Sequence, residues 1–224
     1  MSRAKNLETL KELGFAVSPS LPTSREAGTA LRPAVEIAQR LCGLDAVCTW
    51  VMSSEEDNPS AQIEAYVDDN DLDLDDDDVA ILQTSRTKAR ERFADQIGWR
   101  MENMWPLAWA LGFARLPTVQ GMIDDGVLQP LFQFLPRMDH DVAQWAQRQK
   151  VRDSAVVVDL EDFFYCAHNA ARSAQVAAAS GGRPTSVPKG FDVVVGTGVI
   201  HERRHSLTWM TSPGVAWDDT DLST

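Results

Sequence analysis

The segment V-I-H-E-R-R-H-S-L-T-W, residues 199 to 209 of this 224-residue chain, carries the clearest chemical pattern in the sequence. His201 and His205 stand four apart, with Glu202 beside the first. On a helix, positions i and i+4 share a face. Two imidazoles so placed can hold one Zn²⁺ while the Glu polarises a metal-bound water. Read this way, the chain is a zinc-dependent hydrolase. Catalytic zinc usually takes three protein ligands. Only 19 residues follow His205, none of them His, and Asp218 is the first of three nearby aspartates. A helical wheel also weighs against the metal. Val199, Ile200, Leu207 and Met210 define an apolar arc, Arg203 points into its middle, and both histidines point to the polar side. The favoured reading is a pair of solvent-facing histidines without a metal. The hydrolase, with His201, His205 and Asp218 as ligands, is the alternative.

Arg203 raises the sharper physical question. A guanidinium in an apolar arc is costly unless paired. Glu102, in the apolar stretch W-R-M-E-N-M-W-P-L-A-W-A-L-G, is the best candidate carboxylate, and Asp162, ahead of F-F-Y, is the second. A Glu102–Arg203–Asp162 cluster would tie three helices from distant parts of the chain. It reads either as a buried ion network or as a polar pocket lined by Trp99, Trp109, Trp209 and His168. The network is preferred, because structural networks also gather charge. No residue is assigned a catalytic role and no cofactor is expected.

Other patterns are weaker. Asp71, Asp73 and Asp75 alternate like calcium-loop ligands, but the sixth position of such a loop is not Gly and the twelfth is Leu82. The run reads as a solvated linker whose last aspartates cap a helix starting near Val79. Gly196-Thr197-Gly198 lacks the third glycine of a dinucleotide fingerprint. Cys166 and His168 are two apart, so they do not share a helix face.

The elements that must position these residues are mostly helical. Periodicity predicts a short helix over 6–13 stopped by Gly14, and a helix from Pro33 to Met52. A helical turn or two follows at 61–67. A strong helix contains Trp99 to Trp109, with Pro106 predicted to kink or break it. An amphipathic helix is predicted over 139–151, a long one over 159–179, and a last one over 199–210 after a possible short strand in F-D-V-V-V-G-T-G-V-I. The expected fold is mostly α, with at most short strands. The organisation reads as an N-terminal helix and loop over 1–30 and a helical domain over 31–224, together one domain.

Composition bounds the function. The chain has 44% hydrophobic and 24% charged residues, ordinary for a soluble globular protein. It has no apolar run long enough for a membrane span and no pattern of a signal peptide. Its three scattered cysteines fit a reducing, cytoplasmic home. The net charge of −12 argues against nucleic acid, because phosphate binding needs a basic footprint. It suits a basic protein partner, as in an inhibitor or immunity role against a basic toxin domain.

Four ordered segments carry a resemblance. They are L-R-P-A-V-E-I-A-Q-R-L with Arg32, Glu36 and Arg40; the stretch with Trp99, Glu102 and Trp109 to Gly112; D-L-E-D-F-F-Y-C-A-H-N-A-A-R-S-A with Asp162, Tyr165, Ala170 and Arg172; and E-R-R-H-S-L-T-W-M with Glu202, Arg203, Leu207 and Trp209, followed by Trp217 and Asp218. In order and spacing the chain resembles the bacterial family known as domain of unknown function 4272. The resemblance implies a mostly helical fold and no particular activity. Neither His201 nor His205 belongs to the pattern, which gives Glu202 a place independent of a zinc motif. The leading expectation is a non-enzymatic protein-binding module.

Overall fold

The structure, a computed structural model, describes residues 3–24 and 28–224. Its elements are α1 (Arg3–Glu12), α2 (Ala34–Met52), α3 (Ser60–Asp69), α4 (Asp76–Leu82), α5 (Arg86–Phe93), α6 (Gly98–Ala110), α7 (Asp125–Phe134), α8 (Val142–Gln147), α9 (Ser154–Ala179) and α10 (Val195–Met210). There is no strand among the described residues, so the fold is mostly α as its periodicity predicts. The chain gathers into two compact units. Unit 1 is 1–31, 117–122 and 152–224, and unit 2 is 32–116 with 123–151.

Unit 2 is built around α2, which packs against α3, α4, α5, α6 and α8. Pro33 precedes its first turn with φ already helical, which suits a residue lacking the amide that a helix start leaves unused. Ile37, Ala38, Leu41, Cys42, Ala46, Val47 and Val51 are all fully buried. A helix surrounded by others is apolar nearly all round. Its C-terminal carbonyls are capped by two arginines of α5. Arg86 donates to Thr49, Trp50 and Ser53 oxygens, and Arg90 to those of Val51, Met52 and Ser53. Cations at a helix C-terminus offset its partial negative charge.

The aspartate run is solvated only in part, and it caps a helix as expected. Asp75 is the N-cap of α4, accepting from the Asp78 amide at 2.8 Å, so the helix begins at Asp76 rather than near Val79. Arg40 of α2 donates to Asp75 and Asp78 at 2.8 Å each and to the Asp73 carbonyl at 3.1 Å. Arg100 of α6 donates to the other oxygen of Asp78 at 2.7 Å. Two arginines on packed helices draw the acidic segment inward, because buried guanidiniums need carboxylates. A single-helix reading does not contain those arginines, and so misses the clamp.

Further elements differ from their periodicity; α9, for one, begins at Ser154 rather than at 159. The last helix starts at Val195, and no strand precedes it. Asp192 accepts from the Val194 and Val195 amides, and a Cβ on Gly196 would meet the Phe191 ring at 2.5 Å. A capped start and a close aromatic contact thus draw a β-branched run into helix. The helix around Trp145 is short, Val142–Gln147, with Asp141 as its cap. The helix holding Pro106 runs on through it to Ala110. Gly112 follows at φ +115°, with the Phe113 amide on Ala108 O and its own on Trp109 O, a glycine C-cap. A Cβ there would lie 3.0 Å from Lys150 O.

Asp45 lies buried in α2, and burial pushes its carboxyl up to about 7. The folded chain therefore keeps a proton that the unfolded chain releases from about pH 4 upward. The contribution of Asp45 to stability should fall as pH rises from about 4 to 7 and level off above. Asp45→Asn is expected to remove this slope and to add roughly 2–4 kcal/mol at pH 8. Thermal melts of both proteins from pH 4 to 8 check it; parallel curves would refute it.

Candidate functional site

In unit 1, α9 packs against both α10 and α1. Two polar stripes meet between α9 and α10. Glu161, Tyr165, His168 and Arg172 recur on α9 at spacings of four, three and four. His201, Arg204 and Thr208 recur on α10 at spacings of three and four, so each set lies on one helical face. Glu161, fully buried, accepts from Thr208 at 3.0 Å and from the Ser24 hydroxyl. Arg204, 3% exposed, lies 3.8 Å from Glu161 and 4.8 Å above the Tyr165 ring. It also donates to His168 Nδ1 and to Leu222 O, each at 2.8 Å, and to Ser223 O at 3.2 Å.

The arginine fixes the histidine's chemistry. A guanidinium only donates, so His168 Nδ1 accepts and the ring proton sits on Nε2. Burial, then the charges of Arg204, His201 and Arg172, push His168 down to about 3. His201 is also lowered, by burial first and then by Arg204 and Arg172. Both rings are thus held toward the neutral form.

The HERRH histidines do not face open water. His201 and His205 are half-buried in an aromatic row. The His201 ring stands edge-on to His168 at 5.3 Å and 6.4 Å from His205. His205 lies 4.1 Å from the Trp217 ring, and Trp217 packs edge-on against Trp209 at 5.4 Å. The wheel of one helix identifies the polar face but not what covers it. Here α9 and the returning tail cover it. His205 Nε2 donates to Trp217 O at 2.9 Å, which leaves only Nδ1 for a ligand. Among the described residues no three His, Cys, Asp or Glu side chains are arranged to hold a metal ion. The donors around His201 and His205 therefore do not fit the zinc set, and Asp218 is exposed on the tail.

The remaining predicted residues fall in both units. Asp162 pairs with Arg3 and accepts from Asn6 at 3.2 Å, so it anchors α1 rather than joining Arg203. Arg203, fully buried, donates to Thr118 O at 2.6 Å and Gly121 O at 2.9 Å, holding the 117–122 segment on unit 1. Glu102, fully buried in unit 2, accepts from the Ile123 amide at 2.8 Å. Trp99 and Trp109 belong to unit 2, and His168, Trp209, Arg172 and Glu202 to unit 1. Arg172 is exposed and Glu202 half-buried.

Sequence reasoning missed Glu161 and Arg204, although the two stripes spell them out once α9 and α10 are paired. Beside them opens a cavity of about 320 Å³ lined by Glu161, Tyr165, Arg204, Thr208, Asp219 and Asp221. Glu161 is taken by an arginine and two hydroxyls, and the Ser212 hydroxyl donates to Thr208 O.

Fold and site together define a class: a mostly helical protein in which arginine–carboxylate pairs join packed helices. The chain belongs to the family Domain of unknown function (DUF4272), whose model matches residues 2–220. No curated protein and no solved structure matches it. Among the described residues no helix is long and apolar enough to cross a membrane.

Proposed function

We propose that this protein is a non-enzymatic module that binds a basic protein partner through unit 2. The observation that carries this reading is the distribution of charge. Unit 2 has 21 acidic against 11 basic side chains, so ten of the twelve surplus negative charges lie there. Four of the carboxylates, Asp45, Asp75, Asp78 and Glu102, are shielded inside, but Glu56, Glu64, Asp68, Asp69, Asp76 and Asp77 are exposed. A surplus of one sign steers an oppositely charged partner and disfavours like-charged ones. An inhibitor or immunity-type role against a basic domain is the finer form of this reading. The buried carboxylates support it from the other side: Asp78 is divided between Arg40 and Arg100, and Glu161 is held by Arg204, Ser24 and Thr208.

The test is capture on the immobilised full chain from a lysate of the source cells. A basic protein should be retained at low ionic strength and released by high salt. Neutralising exposed acids with Glu56→Gln, Asp69→Asn and Asp77→Asn should weaken retention about tenfold without lowering the melting temperature. Absence of any salt-sensitive partner would defeat the reading.

A further inference from the structure

Unit 2 carries an open groove of about 1260 Å³ between the end of α2, the 53–59 turn, α3, α4 and α5. Its floor is the edge of Trp50 and Ile63, and its walls are Val67, Leu74, Val79 and Leu82. Val79 is 37% exposed, and Val67, Leu74 and Leu82 are half-buried, so these walls offer apolar surface to a ligand. Small-molecule pockets run to roughly 300–1,000 Å³ and enclose their ligand. A larger trough open along one side suits a polypeptide segment.

The rim sets the sign of that segment. Glu55, Glu64, Asp68 and Glu91 line it. Arg86 and Arg90 also reach it, but both guanidiniums are fixed on the terminal carbonyls of α2, with Arg86 additionally on Glu55 and Asn58 O. Their charge is opposed by the negative end of that helix dipole. Glu64 and Asp68 sit one turn apart on α3, exposed beside the apolar wall. The groove joins apolar side chains to carboxylates from α3, α5 and the 53–59 turn.

We propose that this groove docks a basic amphipathic helix of the partner, an inference that rests on the binding-module reading above. Apolar side chains at i, i+3 or i+4, and i+7 of the incoming helix would enter the trough, as in helix-in-groove recognition. Its lysines and arginines would lie along Glu64, Asp68 and Glu91. A second copy of this chain is disfavoured as occupant, since each copy carries a net charge of −12.

The experiment uses the full chain and a labelled 18-residue helical peptide of leucine and lysine, with leucines at that spacing, followed by fluorescence anisotropy. The control replaces every lysine by glutamate. The lysine peptide should bind with Kd on the order of 10 µM, and the glutamate peptide at least about tenfold more weakly. Val79→Asn, at an exposed wall position, and separately Glu64→Gln with Asp68→Asn, on the exposed rim, should each cost about tenfold in affinity. Melting curves confirm that each variant folds. Equal affinity for both peptides, or unchanged affinity in both variants, overturns the proposal. Self-association that excludes the peptide and is lost in Val79→Asn would assign the groove to a second copy and likewise overturn it. If the captured partner still binds both variants, the docking site is elsewhere while the module reading stands. Loss of wild-type capture instead defeats the module reading, which the peptide titration does not measure.

Discussion

Asp78→Ala should destabilise unit 2 by about 3–5 kcal/mol. Asp78 is fully buried and bridges Arg40, 1% exposed, and Arg100. Its two oxygens are divided between the two guanidiniums, at 2.8 and 2.7 Å. Removing it leaves two buried or half-buried cations facing a cavity. Arg40 keeps Asp75 and the Asp73 carbonyl, whereas Arg100 Nε loses its carboxylate. Breaking one side of a buried ion cluster costs more than the pair is worth, because the surviving charge stays desolvated. Calorimetry should show the melting of this unit fall by roughly 10–20 °C. High salt should not restore it, since buried pairs are poorly screened. A loss below about 1 kcal/mol would show that Asp75 alone neutralises Arg40, and the clamp would then be a surface-grade interaction.

Arg203→Met is expected to cost about 3 kcal/mol in unit 1. The side chain has no exposed surface, and its terminal nitrogens hold the Thr118 and Gly121 carbonyls. Methionine fills much of the same volume but donates nothing. Both carbonyls would lose charged donors, and such bonds are worth about 1.5–3 kcal/mol each. The distinctive sign is local: amide exchange at Val119 to Met122 should accelerate beyond the change at α9. An unchanged melting temperature together with unchanged exchange would mean that the guanidinium does not organise this segment.

Much of the architecture was legible from periodicity. The burial of α2 and the apolar stripe of α9 follow from spacing alone, because each is a property of one helix. Helix starts were less legible where a side chain sets them. Asp75 and Asp192 begin α4 and α10 earlier than the apolar pattern does, because each accepts from amides that have no helical partner. The composition of the aspartate run likewise hides its purpose. Asp75 and Asp78 are set apart from Asp76 and Asp77 by meeting Arg40 and Arg100, which lie in other helices.

The site divides the same way. The sequence by itself determined that the chain is helical and acidic, that its HERRH segment lacks an evident third ligand, and that Arg203 falls in an apolar arc. These are statements about composition and about one helix at a time, and the 100° step of a helix is enough to make them. Only the tertiary structure decided what each polar face meets. It set Arg204 between Glu161 and His168, gave Asp162 to Arg3, and laid Trp217 over His205. It also placed Glu64, Asp68 and Glu91 beside an apolar groove in unit 2. The physical reason is that buried charge is settled by the nearest available partner in space. In a fold of packed helices that partner comes from another turn of chain, tens of residues away.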